Sequence, residues 1–238
     1  MYSTHKSINQ YINILTLVVC IVCKKYSYTQ PTTIITTKKA YKQVVRANKN
    51  AQLINLKELI PNLQLDLRYA TTNNFTATNL YTKPTTTYLC KPAATALQLV
   101  AIKLLLQQLG LHIFDAYRPY SSSVTMWNLI KDERYVANPA SGSNHNRGLS
   151  VDLTLYSLTT GLQLPMGTSF DNFTDSAHHA FTPKLTSEIQ RNRELLKSTM
   201  LIYGFKPLDT EWWHYTYTTK DKYEVIDLPF KTLKKMIK

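Results

Sequence analysis

Ser143-Asn144-His145-Asn146-Arg147-Gly148-Leu149-Ser150-Val151-Asp152-Leu153-Thr154-Leu155-Tyr156 runs from a polar loop into a segment that alternates like a β-strand. The junction is a glycine turn at Gly148. Asp152 stands inside the strand pattern, between Val151 and Leu153. An ionised carboxylate there is costly to bury unless a cation or hydrogen-bond donors compensate it. A divalent metal would do so, and His145 on the incoming loop can reach the same point.

Working outward, Glu211-Trp212-Trp213-His214-Tyr215 opens an aromatic and β-branched strand over 212–218. Trp212 and His214 then share one face and Trp213 the other. The two tryptophans read as core and site wall. Glu211, at the start of the strand, can turn toward His214. A histidine ligand beside a carboxylate that does not ligate is the pairing that metal-assisted hydrolysis needs, because the carboxylate can take and return a proton. Asp115-Ala116-Tyr117-Arg118-Pro119 follows a short buried strand, Leu111–Ala116. Arg118, fixed by the next proline, could steady an oxyanion near the metal. Singly, each signal has a structural reading: a satisfied histidine, a capping or ion-paired aspartate, a surface salt bridge. Together, His145, Asp152 and His214 supply three ligands and leave a fourth zinc position open, as catalytic sites require. The residues therefore point to a zinc peptidase with one Zn2+ per chain and Glu211 as general base.

The rest of the chain suggests an α+β fold: a single domain with a small, largely antiparallel sheet covered by helices. Lys91–Leu109 opens on Pro92 and reads as a helix stopped by Gly110. Ser121–Lys131 reads as a helix with Ser121 as N-cap. Thr186–Tyr203 is a third helix, ended by Gly204. His178 and His179 read as structural, because a three-ligand site needs no more protein ligands.

The chain has 238 residues and a net charge of +13. Residues 1–60 carry nine basic side chains and one acidic, and residues 231–238 carry four lysines. The body between is nearly neutral, which argues against a nucleic-acid partner. Cys20, Cys23 and Cys90 form no disulfide framework and no zinc-finger pattern. Cys90 reads as inert. Ile12–Cys23 is apolar and flanked by lysines, too short for a comfortable membrane span but the length of a signal-peptide core. Residues 1–25 are thus expected to be a signal-like leader, which gives export to the periplasm or cell envelope and any membrane association. Residues 26–50, rich in Thr and Lys, are expected to be a linker or flexible arm, with the catalytic domain over 51–238.

The motif residues resemble those of the D-alanyl-D-alanine dipeptidase family, zinc peptidases of the vancomycin-resistance type. Ser143, His145, Gly148 and Asp152 match its S-x-H-x-x-G-x-x-x-D element. Glu211, Trp213 and His214 match E-x-W-H, and Asp115, Tyr117, Arg118 and Pro119 match D-x-Y-R-P. Residues 66–76, 166–171 and 192–196 fit as well, so the likeness runs from about Leu53 to Leu228. It implies His145, Asp152 and His214 as zinc ligands, Glu211 as catalytic base and Arg118 as transition-state stabiliser. It further implies that Asp171 and Tyr69 hold the free ammonium of a small dipeptide and that Ser143 lines the site near it. The implied reaction is hydrolysis of D-Ala-D-Ala in peptidoglycan metabolism. The alternatives are a D,D-carboxypeptidase acting on longer wall peptides and a metal-stabilised binding protein without turnover.

Overall fold

The computed structural model describes residues 33–133 and 135–237. The expected leader over 1–25 and the first part of the expected arm, 26–32, lie outside the described residues. The rest of that arm, 33–50, carries a strand and a helix that pack against the domain. Strand β1 (Ile34–Ile35) is followed by helix α1 (Lys38–Ala47), with the Thr37 hydroxyl accepting from Ala40 N at 3.2 Å. Tyr41 is buried, and its hydroxyl accepts from Leu53 N at 2.7 Å. Ala40, Tyr41, Val44 and Val45 face inward from this Lys-rich helix, a one-face helical spacing that is only about two turns long.

The chain continues through β2 (Leu53–Asn55), α2 (Leu56–Leu59), β3 (Gln64–Leu65), β4 (Tyr88–Cys90), α3 (Lys91–Leu105), β5 (Leu109–Asp115) and α4 (Tyr120–Ile130). Then come β6 (Ser150–Ser157), α5 (Ser187–Ile202), β7 (Phe205–Leu208), β8 (Glu211–Tyr217), β9 (Val225–Ile226) and α6 (Phe230–Met236). The main sheet has the order β3-β5-β6-β8-β7; β3 is parallel to β5 and the other pairs are antiparallel. Two small ladders flank it, β2 with β4 and β1 with β9. This is the α+β architecture expected, a small sheet covered by helices.

Two helix ends differ from expectation. Helix α3 stops at Leu105, and the chain reverses through Gln108 at φ 55°, so Gly110 already lies within β5. Gly110 serves by its size: a Cβ there would lie 2.3 Å from Tyr156 Cε1. At α4, Pro119 takes the N-cap position, and Ser121 instead gives both its backbone N–H and its hydroxyl to Asp227 Oδ1, at 2.9 and 2.7 Å. A carboxylate at a helix start is favoured by the exposed N–H groups there.

Helix α3 contributes Leu97, Val100 and Leu104 to the main core, where they meet Leu111 and Ile113 of β5 and Leu153 and Leu155 of β6. Each such side chain contributes about 1.5–3 kcal/mol on burial. A second cluster joins the two ends of the described chain, with Ile35, Tyr41 and Leu53 against Ile226, Phe230 and Leu233. The first seven residues of β6 are all buried. Its alternation therefore separates a hydrocarbon face, Val151, Leu153 and Leu155, from a polar face that the site covers.

Candidate active site

Sheet register assembles the site. Asp115 of β5 pairs with Asp152 of β6, and Asp152 pairs with His214 of β8, so three functional side chains form one row across three strands. A β-bulge between Ile113 and Asp115 sets that register. His145 arrives from outside the sheet, on a single 3-10 turn over His145–Arg147. Gly148 closes the turn at φ 67°; a Cβ there would meet Cys90 N at 2.9 Å. Ser143 Oγ accepts from His145 N at 3.1 Å.

His145 Nδ1 lies 2.7 Å from the Ala116 carbonyl oxygen and so carries the ring hydrogen. Its Nε2 is left with a lone pair, 3.5 Å from Asp152 Oδ2 and 3.3 Å from His214 Nδ1. His214 Nδ1 lies 2.9 Å from Asp152 Oδ1. Ligand atoms from the three residues all lie within 4.8 Å of one another. Four tetrahedral zinc ligands at about 2.0–2.1 Å would stand roughly 3.3 Å apart, so the donor set fits a zinc-sized dication. A metal ion, or a proton on one of the imidazoles, would relieve the facing lone pairs of these three segments. These three residues could therefore hold a metal.

The electrostatics agree. Burial pushes the His145 cation out of favour and its pKa down to about 3, leaving a neutral donor. Burial also opposes charge on His214 and Asp152, but each stabilises the other: His214 is shifted up, and Asp152, with His145 and His214 beside it, down. Asp115, fully buried, is pushed up to about 6 by desolvation, with Arg118 pulling the other way. For Arg118 burial disfavours the charge, yet Asp115 outweighs it and the guanidinium stays charged.

Arg118 is held on two sides. Its Nε and one terminal nitrogen reach Asp115 Oδ2 at 2.9 and 2.7 Å, and its guanidinium lies over the Tyr69 ring at 4.7 Å. The other terminal nitrogen meets the Met126 sulfur at 3.7 Å, a weak acceptor. That nitrogen can serve a ligand. Tyr69 donates to Asp171 Oδ1 at 2.9 Å, while Asp171 Oδ2 is buried without a hydrogen-bond partner among the described residues. Burial raises Asp171 well above the usual carboxylate range. Burial likewise lifts Glu211 to about 7.

All eight residues singled out in the sequence line one cleft of about 440 Å³. On β8, Trp213 and not Trp212 shares the cleft with His214. Glu211 and Trp213 border the cleft together with His214, whereas Trp212 turns away and donates its indole N–H to Thr168 Oγ1 at 2.7 Å. The register shift between Pro207 and Leu208, opposite the start of β8, breaks the simple alternation. His178 and His179 do not border the cleft: His179 packs edge-on against Tyr215, and His178 sits near Asp175. Cys90 is buried with its thiol pushed up to about 12, which leaves it protonated. A larger groove of about 800 Å³ borders the far side of His214 but contains neither Arg118 nor Asp171.

Two further side chains position the site. Asn146, fully buried, donates to the Arg118 carbonyl at 2.8 Å and to Ser123 Oγ at 2.9 Å, and accepts from Ser143 N at 2.8 Å. Tyr81 donates to Asp115 Oδ1 at 2.9 Å. The nearness of Asn146 to His145 was a usable signal. Tyr81 offered none, because its partner is distant in sequence.

The chain is similar to proteins of one described family. The sequence model of the family described as D-ala-D-ala dipeptidase matches residues 49–232. A D-alanyl-D-alanine dipeptidase of Escherichia coli (strain K12) is 37% identical over 164 residues, covering 69% of this chain and 83% of that protein. One from Enterococcus faecium is 34% identical over 184 residues, covering 67% of this chain and 88% of that protein. Among solved structures, a vancomycin resistance D,D-pentapeptidase in complex with Zn(II) is similar at 15% identity and a TM-score of 0.37, covering 57% of this chain and 75% of that one.

Proposed function

The chain belongs to the D-ala-D-ala dipeptidase family, and from that premise we propose that it hydrolyses free D-alanyl-D-alanine to two molecules of D-alanine in peptidoglycan metabolism. The observation that carries this reading is Asp171 Oδ2, a buried oxygen with no partner among the described residues, in the cleft that also holds the metal-type cluster. A buried carboxylate oxygen of this kind calls for a charged donor. The ammonium of a substrate is one, and a clamp there rewards a peptide whose amine is not acylated.

In this proposal His145, Asp152 and His214 hold one Zn2+. When bound, zinc supplies Lewis acidity toward a carbonyl and toward an attacking water. The protein's own groups do the rest. Glu211 takes the proton of the water and returns it to the leaving amine, so that one water and one peptide bond become an amine and a carboxylate. Its elevated pKa suits a group that must both accept and release that proton. Arg118, held by Asp115 and stacked on Tyr69, directs its remaining N–H donors at the oxygen that gains charge. Asp171 and Tyr69 fix the substrate's amine, and Ser143 lines the site near the substrate.

The test is release of D-alanine from D-Ala-D-Ala and from its N-acetyl derivative by zinc-loaded protein. The free dipeptide should be cleaved much faster. Faster cleavage of the acylated peptide would favour a D,D-carboxypeptidase and remove the role given to Asp171. The apolar segment Ile12–Cys23 supports export to the periplasm or cell envelope. Soluble cytoplasmic protein beginning at Met1 would overturn that part.

A further inference from the structure

Ser150 and Thr216 stand opposite one another in the β6–β8 ladder, two residues along from the Asp152–His214 pair. With a strand period of two, all four side chains share one sheet face. Thr216 Oγ1 lies 3.2 Å from His214 Nε2 and 2.6 Å from Ser150 Oγ. We infer that Thr216, oriented by Ser150, is a positioning residue that holds His214 in the tautomer able to ligate through Nδ1. The inference rests on the metal-site reading above and adds to it the residues that prepare one ligand.

The positions of the ring hydrogens decide which nitrogen can ligate. His214 Nδ1 faces the cluster, 2.9 Å from Asp152 Oδ1 and 3.3 Å from His145 Nε2. A nitrogen that gives its lone pair to a cation carries no hydrogen, so the hydrogen of a neutral His214 belongs on Nε2. That N–H needs an acceptor, and Thr216 Oγ1 is in place. The threonine hydroxyl has one hydrogen of its own, which the short contact to Ser150 Oγ can take. Hydrogens then run from His214 to Thr216 to Ser150. In the reverse direction, from Ser150 to Thr216 to His214, Nε2 becomes the acceptor and the hydrogen moves to Nδ1. That setting blocks the ligand atom and leaves it donating to Asp152. The hydroxyl pair thus has two directions, and only one is compatible with a metal.

His145 solves the same problem differently, with the fixed carbonyl of Ala116 as acceptor for Nδ1–H at 2.7 Å. A carbonyl cannot reverse, whereas a hydroxyl can. His214 is therefore the ligand whose tautomer depends on side chains. Thr216 is half-buried on the rim of the larger groove, so water can partly replace it, while Ser150 is fully buried. Removal of a partner behind a metal ligand typically costs about 10–100-fold in affinity. Access of water at Thr216 places this case near the tenfold end.

The experiment measures zinc affinity by competition with a chromophoric chelator, for wild type, Thr216→Val and Thr216→Ser. It adds 15N NMR of the His214 ring in the zinc-loaded wild type. Thr216→Val should bind zinc about tenfold more weakly, Thr216→Ser should restore most of that loss, and Nε2 should carry the hydrogen. Equal affinity in Thr216→Val, or a hydrogen on Nδ1, overturns the inference while leaving the proposed function standing. A wild type that binds no zinc overturns both. If the valine variant fails to fold, Thr216→Ala against Thr216→Ser makes the same comparison.

Discussion

The Tyr69 hydroxyl donates to Asp171 Oδ1 at 2.9 Å across 102 residues of sequence, and the second oxygen of Asp171 is buried and unpartnered among the described residues. In the proposed function this pair receives the ammonium of the substrate. In the unliganded protein burial favours the protonated carboxyl. An arriving ammonium favours the ionised form.

Binding of D-Ala-D-Ala below the elevated pKa of Asp171 should therefore release a proton and tighten as pH rises toward that pKa. Calorimetry in two buffers of different ionisation heat checks this. The same shift has a stability consequence. A carboxyl whose folded pKa is raised contributes stability that is full below its unfolded pKa of about 3.9 and is lost as pH rises through the folded value. Asp171→Asn should flatten that loss in chemical denaturation of the unliganded protein. It should also lower kcat/KM on the free dipeptide by at least about thirtyfold, the effect of removing one partner of a buried charged pair.

Glu211→Gln removes the proton carrier but not a ligand. The expected result is a fall in kcat of about 10²–10⁴ with zinc content unchanged by elemental analysis. Loss of the metal along with activity would instead make Glu211 part of the ligand set.

Arg118 and Asp115 divide a charged hydrogen-bond pair between catalysis and stability. Arg118→Lys keeps the charge but not the fork that grips Asp115 Oδ2 through two nitrogens. The fall in kcat/KM should be about 10²–10³, typical of a lost oxyanion donor. Asp115→Asn leaves the guanidinium without its counter-charge at a position where Asp115 is fully buried. Breaking such a pair costs about 3–5 kcal/mol, which urea unfolding would register directly.

Gly110→Ala tests the sheet behind the site. The added methyl would lie 2.3 Å from the ring of Tyr156, whose hydroxyl is bonded to the Asn62 carbonyl. Overpacking of this kind costs about 1–3 kcal/mol. The thermal midpoint should fall while kcat/KM on the dipeptide stays near wild type, because neither residue borders the cleft.

The available chemistry was legible in local stretches of the chain. A carboxylate inside an alternating strand, a histidine before a glycine turn and a Glu-x-x-His element on a second strand are local patterns, and local patterns survive in one dimension. The period of two put Trp212 and His214 on one face, and the register shift near the strand's start overruled it, so that Trp213 borders the cleft with His214. Which side chains stand beside one another depended on folding. Register across three strands made Asp115, Asp152 and His214 neighbours, because strand pairing depends on contacts far apart in sequence. The same holds for Tyr81 on Asp115, for Ser150 on Thr216, and for Tyr41 on Leu53. Each is fixed by one or two long-range contacts, which leave no periodic trace in the residues that make them.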